Sequence, residues 1–318
     1  MKNYNLKIKM FLILMLFTLS FAFSSYAAFM DIGSGARPSG MGKAFVAISD
    51  DVNALHYNPA GLVQVQKFMF LTTYTRLYVG VPGLAQGEIS YVYPLSEYST
   101  LAGGWDHLIA DSSSASYRES IISLALAYSP TKYAKIETHE VNVGLKLKLL
   151  NKKYGENEYT SANSAFANKT SAWGYTADIS LLIKPIALTN NLTIGLSAEN
   201  LTQPDVSVNK EDIVPMLFRA GVSSKLLESV TGNLEYDWRK SDYSINTGVE
   251  FSIKDPFEFA ARGGYSIGNN KYSNASVGFG VKLPMDSSQI GIDYAFIIPF
   301  NFMNDVSGTH RISLSFIP

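Results

Sequence analysis

The chain has 318 residues, with 26 basic against 27 acidic side chains and no cysteine. The missing cysteines exclude a disulfide framework, a thiolate metal site and a lipid anchor through an N-terminal thiol. The near-neutral charge gives none of the basic footprint of a nucleic-acid binder. Lys2, Lys7 and Lys9 precede the apolar run Phe11 to Phe23, and Ser25 and Ala27 supply small residues at the spacing of a cleavage site. Residues 1–27 therefore read as a signal peptide, with the mature chain starting at Ala28. Its removal leaves 23 basic against 27 acidic residues, a net charge of −4. The run is too short to span as a helix, and no apolar stretch of about 18 residues follows, so a helical membrane protein is not expected.

Residues 28–66 come next, and their centre, Gly33 to Leu62, reads GSGARPSGMGKAFVAISDDVNALHYNPAGL. Ala44 to Ile48 is a compact apolar run. Asp50 or Asp51 is placed to cap a short helix over Val52 to Tyr57, and Asn58-Pro59 is placed to stop it. The segment is apolar yet too short to bury its own core, so it needs a container. Gly35-Ala36-Arg37, Gly40-Met41-Gly42, the run Ala44 to Ala47, the Asp50-Asp51 pair and Asn58-Pro59-Ala60-Gly61-Leu62 resemble the N-terminal segment of the FadL/PorV superfamily of outer-membrane proteins. Within that group the chain is most similar to the shorter PorV/PorQ-type members. The resemblance implies a 14-stranded barrel with this segment, residues 28–66, folded into the lumen as a plug. It also implies that Gly35, Arg37, Gly40, Gly42, Asp50, Asp51, Asn58, Pro59, Ala60 and Gly61 form a structural or gating motif.

From residue 67 to 318 the signal has period two. Val141, Val143, Leu145, Leu147 and Leu149 point one way while Asn142, Gly144, Lys146 and Lys148 point the other. The alternation recurs over 173–184, 192–199, 245–253, 274–283 and 290–296. Strands are expected near 67–79, 87–94, 99–109, 117–129, 139–151, 171–184, 191–201, 214–225, 231–240, 243–254, 256–268, 272–284, 287–298 and 307–317. Most have about the 9 to 11 residues a tilted spanning strand needs, and an even count returns the C-terminus to the side where the barrel begins. The fold class is thus an all-β, 14-stranded antiparallel transmembrane β-barrel. No repeat of about 40 residues supports a propeller.

Connections after even-numbered strands are short, whereas Asn151 to Thr170 and Thr202 to Ile213 on the other side are long and polar, as in outer-membrane barrels. Pro130 to Thr138 is long on the short side. Tyr74, Tyr78, Trp105, Tyr128, Trp173, Tyr236, Trp238 and Tyr265 are placed near strand ends, where they suit interfacial girdles. Ile312, Leu314 and Phe316 in the last strand resemble a C-terminal assembly signal, although the chain ends Ile317-Pro318.

The inward set, Lys146, Lys148, Asp178, Glu199, Arg219, Glu235, Asp237, Arg239, Glu250, Arg262, Lys282, Asp293 and Arg311, makes a polar lumen of mixed sign. No G-x-S-x-G is present, and the histidines at 56, 107, 139 and 310 lack metal-ligand spacing. Asp106-His107 reads as an exposed polar pair and His56 as a hydrogen-bonded packing residue, so neither catalytic residue, metal nor cofactor is expected. Two functions follow from the resemblance for a protein of the bacterial outer membrane, in contact with its lipid. One is a plugged FadL-like channel for uptake of hydrophobic small molecules. The other is a PorV/PorQ-like component of a protein secretion system that binds cargo or partner proteins.

Overall fold

In a computed structural model, the described residues are 28–318 apart from 113–114, 157–159, 161–165, 167–168, 188–190, 254–256, 270–271 and 301–305. The expected signal peptide, residues 1–27, and most of the loop that follows residue 156 lie outside them. Fourteen strands form one closed antiparallel barrel in which each pairs with its sequence neighbours and β1 pairs with β14. They are β1 (Met69–Arg76), β2 (Leu84–Ser96), β3 (Ser99–Asp111), β4 (Ser116–Tyr128), β5 (Glu140–Tyr154), β6 (Ser171–Lys184) and β7 (Leu192–Glu199). The second half comprises β8 (Leu217–Leu227), β9 (Val230–Arg239), β10 (Asp242–Ile253), β11 (Glu258–Gly268), β12 (Ser273–Met285), β13 (Ser288–Phe300) and β14 (Thr309–Ile317). Closure runs from Phe70 opposite Phe316 to Arg76 opposite His310, so the first and last strands pair with each other rather than ending as open edges.

Alternation sets the two surfaces. On β5, Val143, Leu145, Leu147 and Leu149 are exposed on the outer wall, while Asn142, Lys146 and Lys148 are buried in the lumen. The wall is therefore inverted relative to a water-soluble barrel, greasy outside and charged inside. All fourteen expected strands are present. The expected strand 191–201 ends earlier, because Asn200 turns to a φ of 58° and gives its N–H to Asp178 Oδ1. The expected strand 214–225 starts later, because Val214 donates its N–H to Pro204 O within the preceding loop.

The long connection on the short-turn side has a local cause. Helix α3 (Pro130–Tyr133) starts with Pro130, and the Ser129 hydroxyl accepts from Lys132 N. Tyr98 packs edge-on against Tyr128 and Tyr133, with centroids 6.1 and 5.4 Å apart. Trp105 lies mid-strand on β3 rather than at a strand end, stacked 5.3 Å from His107.

Inside the barrel, residues 28–66 cross the lumen as irregular chain punctuated by α1 (Ala36–Gly40), α2 (Ala54–Tyr57) and a 3-10 helix (Pro59–Gln64). Helix α2 is shorter than the expected 52–57 and has no side-chain cap. Asp51 Oδ1 instead accepts from Asn53 N at 2.8 Å, holding the turn ahead of it. Asn58-Pro59 stops α2 and also starts the 3-10 helix, with Asn58 Oδ1 accepting from Ala60 N at 3.1 Å. At the outer end, Ala28 and Phe29 pack with Leu150, Ala172, Val206 and Val214. At the other end, Leu55, Leu62, Val63 and Val65 pack against Leu71, Val92, Ala102 and Ala125.

Candidate functional site

The interface between the lumenal segment and the wall is built first by close backbone approach. A Cβ on Gly195 would lie 2.1 Å from Val46 O, one on Gly144 2.3 Å from Ala60 N, and one on Gly264 2.1 Å from Gly42 N. Side chains at these inward positions would hold the segment off the wall. Gly40 likewise approaches Gly278, whose Cα would be 3.1 Å from a Cβ on Gly40. Gly42, at a φ of 62°, takes a hydrogen bond from Ser266 Oγ at 2.7 Å and donates to Ser276 Oγ at 2.9 Å. Asn58 Nδ2 donates to Val46 O at 2.7 Å and Leu181 O at 2.9 Å, and Ala60 N also reaches Ser180 Oγ at 3.0 Å. Pro59 lies against Gly144, and Gly61 against Ser49, with no room for a Cβ at either glycine.

Charge pairing adds a second layer. Arg37 binds Asp50 at 2.6 Å and Asp51 at 2.8 Å within the segment, and clamps Glu250 of the wall through Nε and Nη2 at 2.9 and 2.8 Å. Burial disfavours the guanidinium charge, but Asp50, Glu250 and Asp51 outweigh it and hold Arg37 above its ordinary value. Arg262 extends the chain from Glu250 to Asp293 at 2.6 Å each. Near the segment's start, Asp31 meets Lys43 at 2.9 Å and Arg219 at 3.0 Å. Burial raises the Asp31 carboxyl, yet Arg219 and Lys43 pull it well below the carboxylate range. Glu235 accepts from both Phe45 N and Val46 N at 2.7 Å, and Arg311 reaches Ser39 Oγ at 2.7 Å and Ile32 O at 3.3 Å. Of the expected motif, Gly35, Arg37, Gly40, Gly42, Asn58, Pro59 and Ala60 touch the wall, whereas Asp50, Asp51 and Gly61 act within the segment.

A third contact was not expected from the sequence. His56 on α2 lies with Nε2 2.6 Å from Glu88 Oε1 and Nδ1 3.6 Å from Asp106 Oδ2. The first is a close charge contact rather than a linear hydrogen bond, since Nε2 has no hydrogen-bond partner among the described residues. Burial opposes the imidazolium, but Asp106 and then Glu88 prevail, pushing His56 up to about 9. Asp106 and His107 do not form the expected exposed pair. Consecutive strand residues face opposite sides, so Asp106 is buried in the lumen while His107 sits on the outer wall, bonded to Ser120 at 2.7 Å. The signal for Glu88 and Asp106 is the alternation itself, since Ile89 and Tyr91 on β2 and Trp105 on β3 face outward.

Beside this cluster lies a cavity of about 110 Å³ bordered by Asp31, His56, Asp106, Lys146, Lys148, Glu199, Arg219 and Arg239. Ions so dense suit water or a polar group, and an apolar solute would desolvate them without recompense. At the C-terminal mouth a wider cavity of about 660 Å³ is bordered by Arg37, Asp50, Asp51, Lys67, Lys184, Lys225 and Glu228. No helix among the described residues is long and apolar enough to cross a membrane.

Comparison with known proteins gives three results. The sequence model of the family described as type IX secretion system membrane protein PorP/SprF matches residues 51–316. No curated protein matches the chain in sequence. Among solved structures, the CymD monoaromatic hydrocarbon channel is similar with a TM-score of 0.63 at 15% identity, covering 91% of this chain and 98% of its own. The P. putida toluene transporter TodX gives 0.62 at 12% identity, covering 90% and 96%. A Pseudomonas aeruginosa FadL homologue gives 0.59 at 12% identity, covering 92% and 99%. At such identities the likeness concerns the fold: a FadL-like closed barrel with a short helical segment at its N-terminus.

Proposed function

The chain belongs to the PorP/SprF family of type IX secretion system membrane proteins, and from that premise we propose that it works in the outer membrane as a structural partner of that system's proteins. Of the two functions expected from the sequence, the family favours the secretion component over uptake of hydrophobic solutes. The reading divides the chain into an exported leader, residues 1–27, a lumenal plug, residues 28–66, and a lipid-embedded barrel, residues 67–318. Its partners are other secretion-system proteins and bilayer lipid, and it performs no catalysis. The family match over 51–316 carries the reading. The lumen supports it, because the segment is tied to the wall by Arg37, Asp31, Asn58 and His56, and the cavity beside it is lined by ions.

The motif residues act in this reading as fasteners of the plug, so the barrel presents its two rims to partners while remaining shut to solutes. The test has two arms. Cross-linking in cells followed by purification of the barrel should bring down other type IX components. Purified protein in liposomes should admit labelled toluene or fatty acid no faster than empty liposomes. Faster uptake by the intact protein, with residues 28–66 in place and without captured secretion proteins, would overturn the proposal in favour of a channel.

A further inference from the structure

We propose that His56, Glu88 and Asp106 form a site for a divalent transition-metal ion, of the zinc, manganese or cobalt class, joining the lumenal segment to the β2–β3 hairpin. The inference stands apart from the secretion reading. It begins with register: Glu88 and Asp106 are directly opposite partners on β2 and β3. Both side chains point into the lumen, with residue exposures of 3% and 8%. Like charges facing each other across a strand pair repel, and burial sharpens the repulsion, so a cation belongs between them.

The neighbouring cations are engaged elsewhere. Lys146 Nζ pairs with Asp178 at 2.8 Å and donates to Leu55 O at 3.1 Å. The Arg311 guanidinium is occupied by Ser39, Thr75, Gln86 and Ile32 O. Among the described residues His56 is the cationic group in direct contact with both carboxylates, and even as imidazolium it offers one positive charge for two negative ones. A divalent ion ligated by neutral imidazole, taking the place of that proton, brings the cluster to zero.

The donor set and its geometry agree with such an ion. One ligand atom from each residue lies within 4.8 Å of the others. Two ligands on zinc sit at most about 4.2 Å apart, given metal–ligand distances of about 2.1 Å, so a small rotation of the side chains closes the set. One imidazole and two carboxylates suit zinc, manganese or cobalt, whereas calcium and magnesium favour all-oxygen sites and copper(I) favours sulfur. Glu88 is oriented from behind, since Oε2 accepts from Ser34 Oγ and from Gly35 N at 3.2 Å, leaving Oε1 toward His56. Such outer contacts tune affinity in metal sites. Asp106 Oδ1 is buried with no hydrogen-bond partner among the described residues. Asp106 and His56 also line the cavity of about 110 Å³, which has room for the waters that complete a coordination shell.

The test uses the full exported chain purified in detergent, stripped with chelator and titrated with Co²⁺ or Zn²⁺ alone. Metal content is read by mass spectrometry and the Co²⁺ environment by visible absorption. One ion per chain is expected, with the absorption of a low-coordinate N/O cobalt site. Glu88→Gln and Asp106→Asn should each weaken binding about tenfold or more, and His107→Ala, on the opposite face of β3, should leave it unchanged. Folding of each variant is checked by the heat-dependent gel mobility of the barrel. Retention of less than half an ion per chain by the stripped and reloaded wild type would overturn the proposal, as would a spectrum identical in a His56→Gln/Asp106→Asn double variant. Should a single variant fail to give the folded band, the wild-type stoichiometry and cobalt spectrum decide alone.

Discussion

Arg37 shows how much of the lumenal segment's position rests on single side chains. Its fork meets two carboxylates of its own segment and one of the wall, of which Asp51 and Glu250 are largely buried and Asp50 is exposed. Arg37→Ala would leave Asp51 without its cation and Glu250 with Arg262 alone, a loss on the order of 3 kcal/mol for a broken buried pair. The melting temperature of the detergent-solubilised barrel should fall, and the segment should become more sensitive to protease. Arg37→Lys should recover only part of the loss, because an ammonium cannot span Glu250 and Asp51 with the bidentate geometry of the fork. Asp31 gives a pH signature at the same scale. Its folded-state carboxyl is held well below the ordinary value because Arg219 and Lys43 outweigh burial. A depressed acid stabilises the folded state above its unfolded pKa of about 4, and that stabilisation drains away as pH falls from there toward the folded value. Thermal unfolding of wild type and Asp31→Asn should therefore differ at pH 7 and converge below about pH 4. A gap that stays constant with pH would show that Asp31 contributes through packing rather than charge.

At the scale of the elements, the strands accept the segment through glycine. Gly263 and Gly264 are consecutive on β11 and face opposite sides. A Cβ on Gly264 would sit 2.1 Å from Gly42 N, while one on Gly263 meets nothing within 4 Å. Gly264→Ala should thus cost about 1–3 kcal/mol of overpacking and expose residues 28–66 to protease, with Gly263→Ala neutral in the same assay. Equal behaviour of the two would mean that the segment does not ride on that wall. The fourteen strands were legible in the sequence because lipid on one side and charge on the other leave an alternation of period two that no other element imitates. The inward ion set was legible for the same reason, and extending the rule to Glu88 and Asp106 required only that Ile89 and Trp105 be placed outward. Their pairing with each other and with His56 was not legible, because it depends on the register of β2 with β3 and on where α2 crosses the lumen. The early end of β7 and the late start of β8 were hidden for a similar reason. Asn200 is drawn out of line by Asp178 and Val214 by Pro204, partners set by tertiary structure rather than by local propensity.

For the whole molecule, stability depends on the medium that the outer wall faces. Leu147 sits at the centre of β5, 54% exposed, beside Lys146, which is 3% exposed. In water this arrangement would be costly on both counts, with a leucine in solvent and a lysine indoors. In a bilayer the same wall is stable, because hydrocarbon takes the leucine and the lumen supplies Asp178 for the lysine. Replacing Leu147 with arginine brings a charge to the mid-height of the wall and should cost about 2–4 kcal/mol in a bilayer. Urea unfolding of the protein reconstituted in lipid vesicles measures the loss. The same substitution at Tyr133, on α3 outside the strands and 63% exposed, should cost far less, since it lies at the rim where water reaches. Equal penalties would remove the membrane from the account, and with it the premise that residues 28–66 close a barrel rather than fill a soluble core. The predicted inequality ties the secretion reading to the physics of the wall. A partner docking at the rims needs a barrel fixed in lipid at the height of Leu147 and open to water at the height of Tyr133.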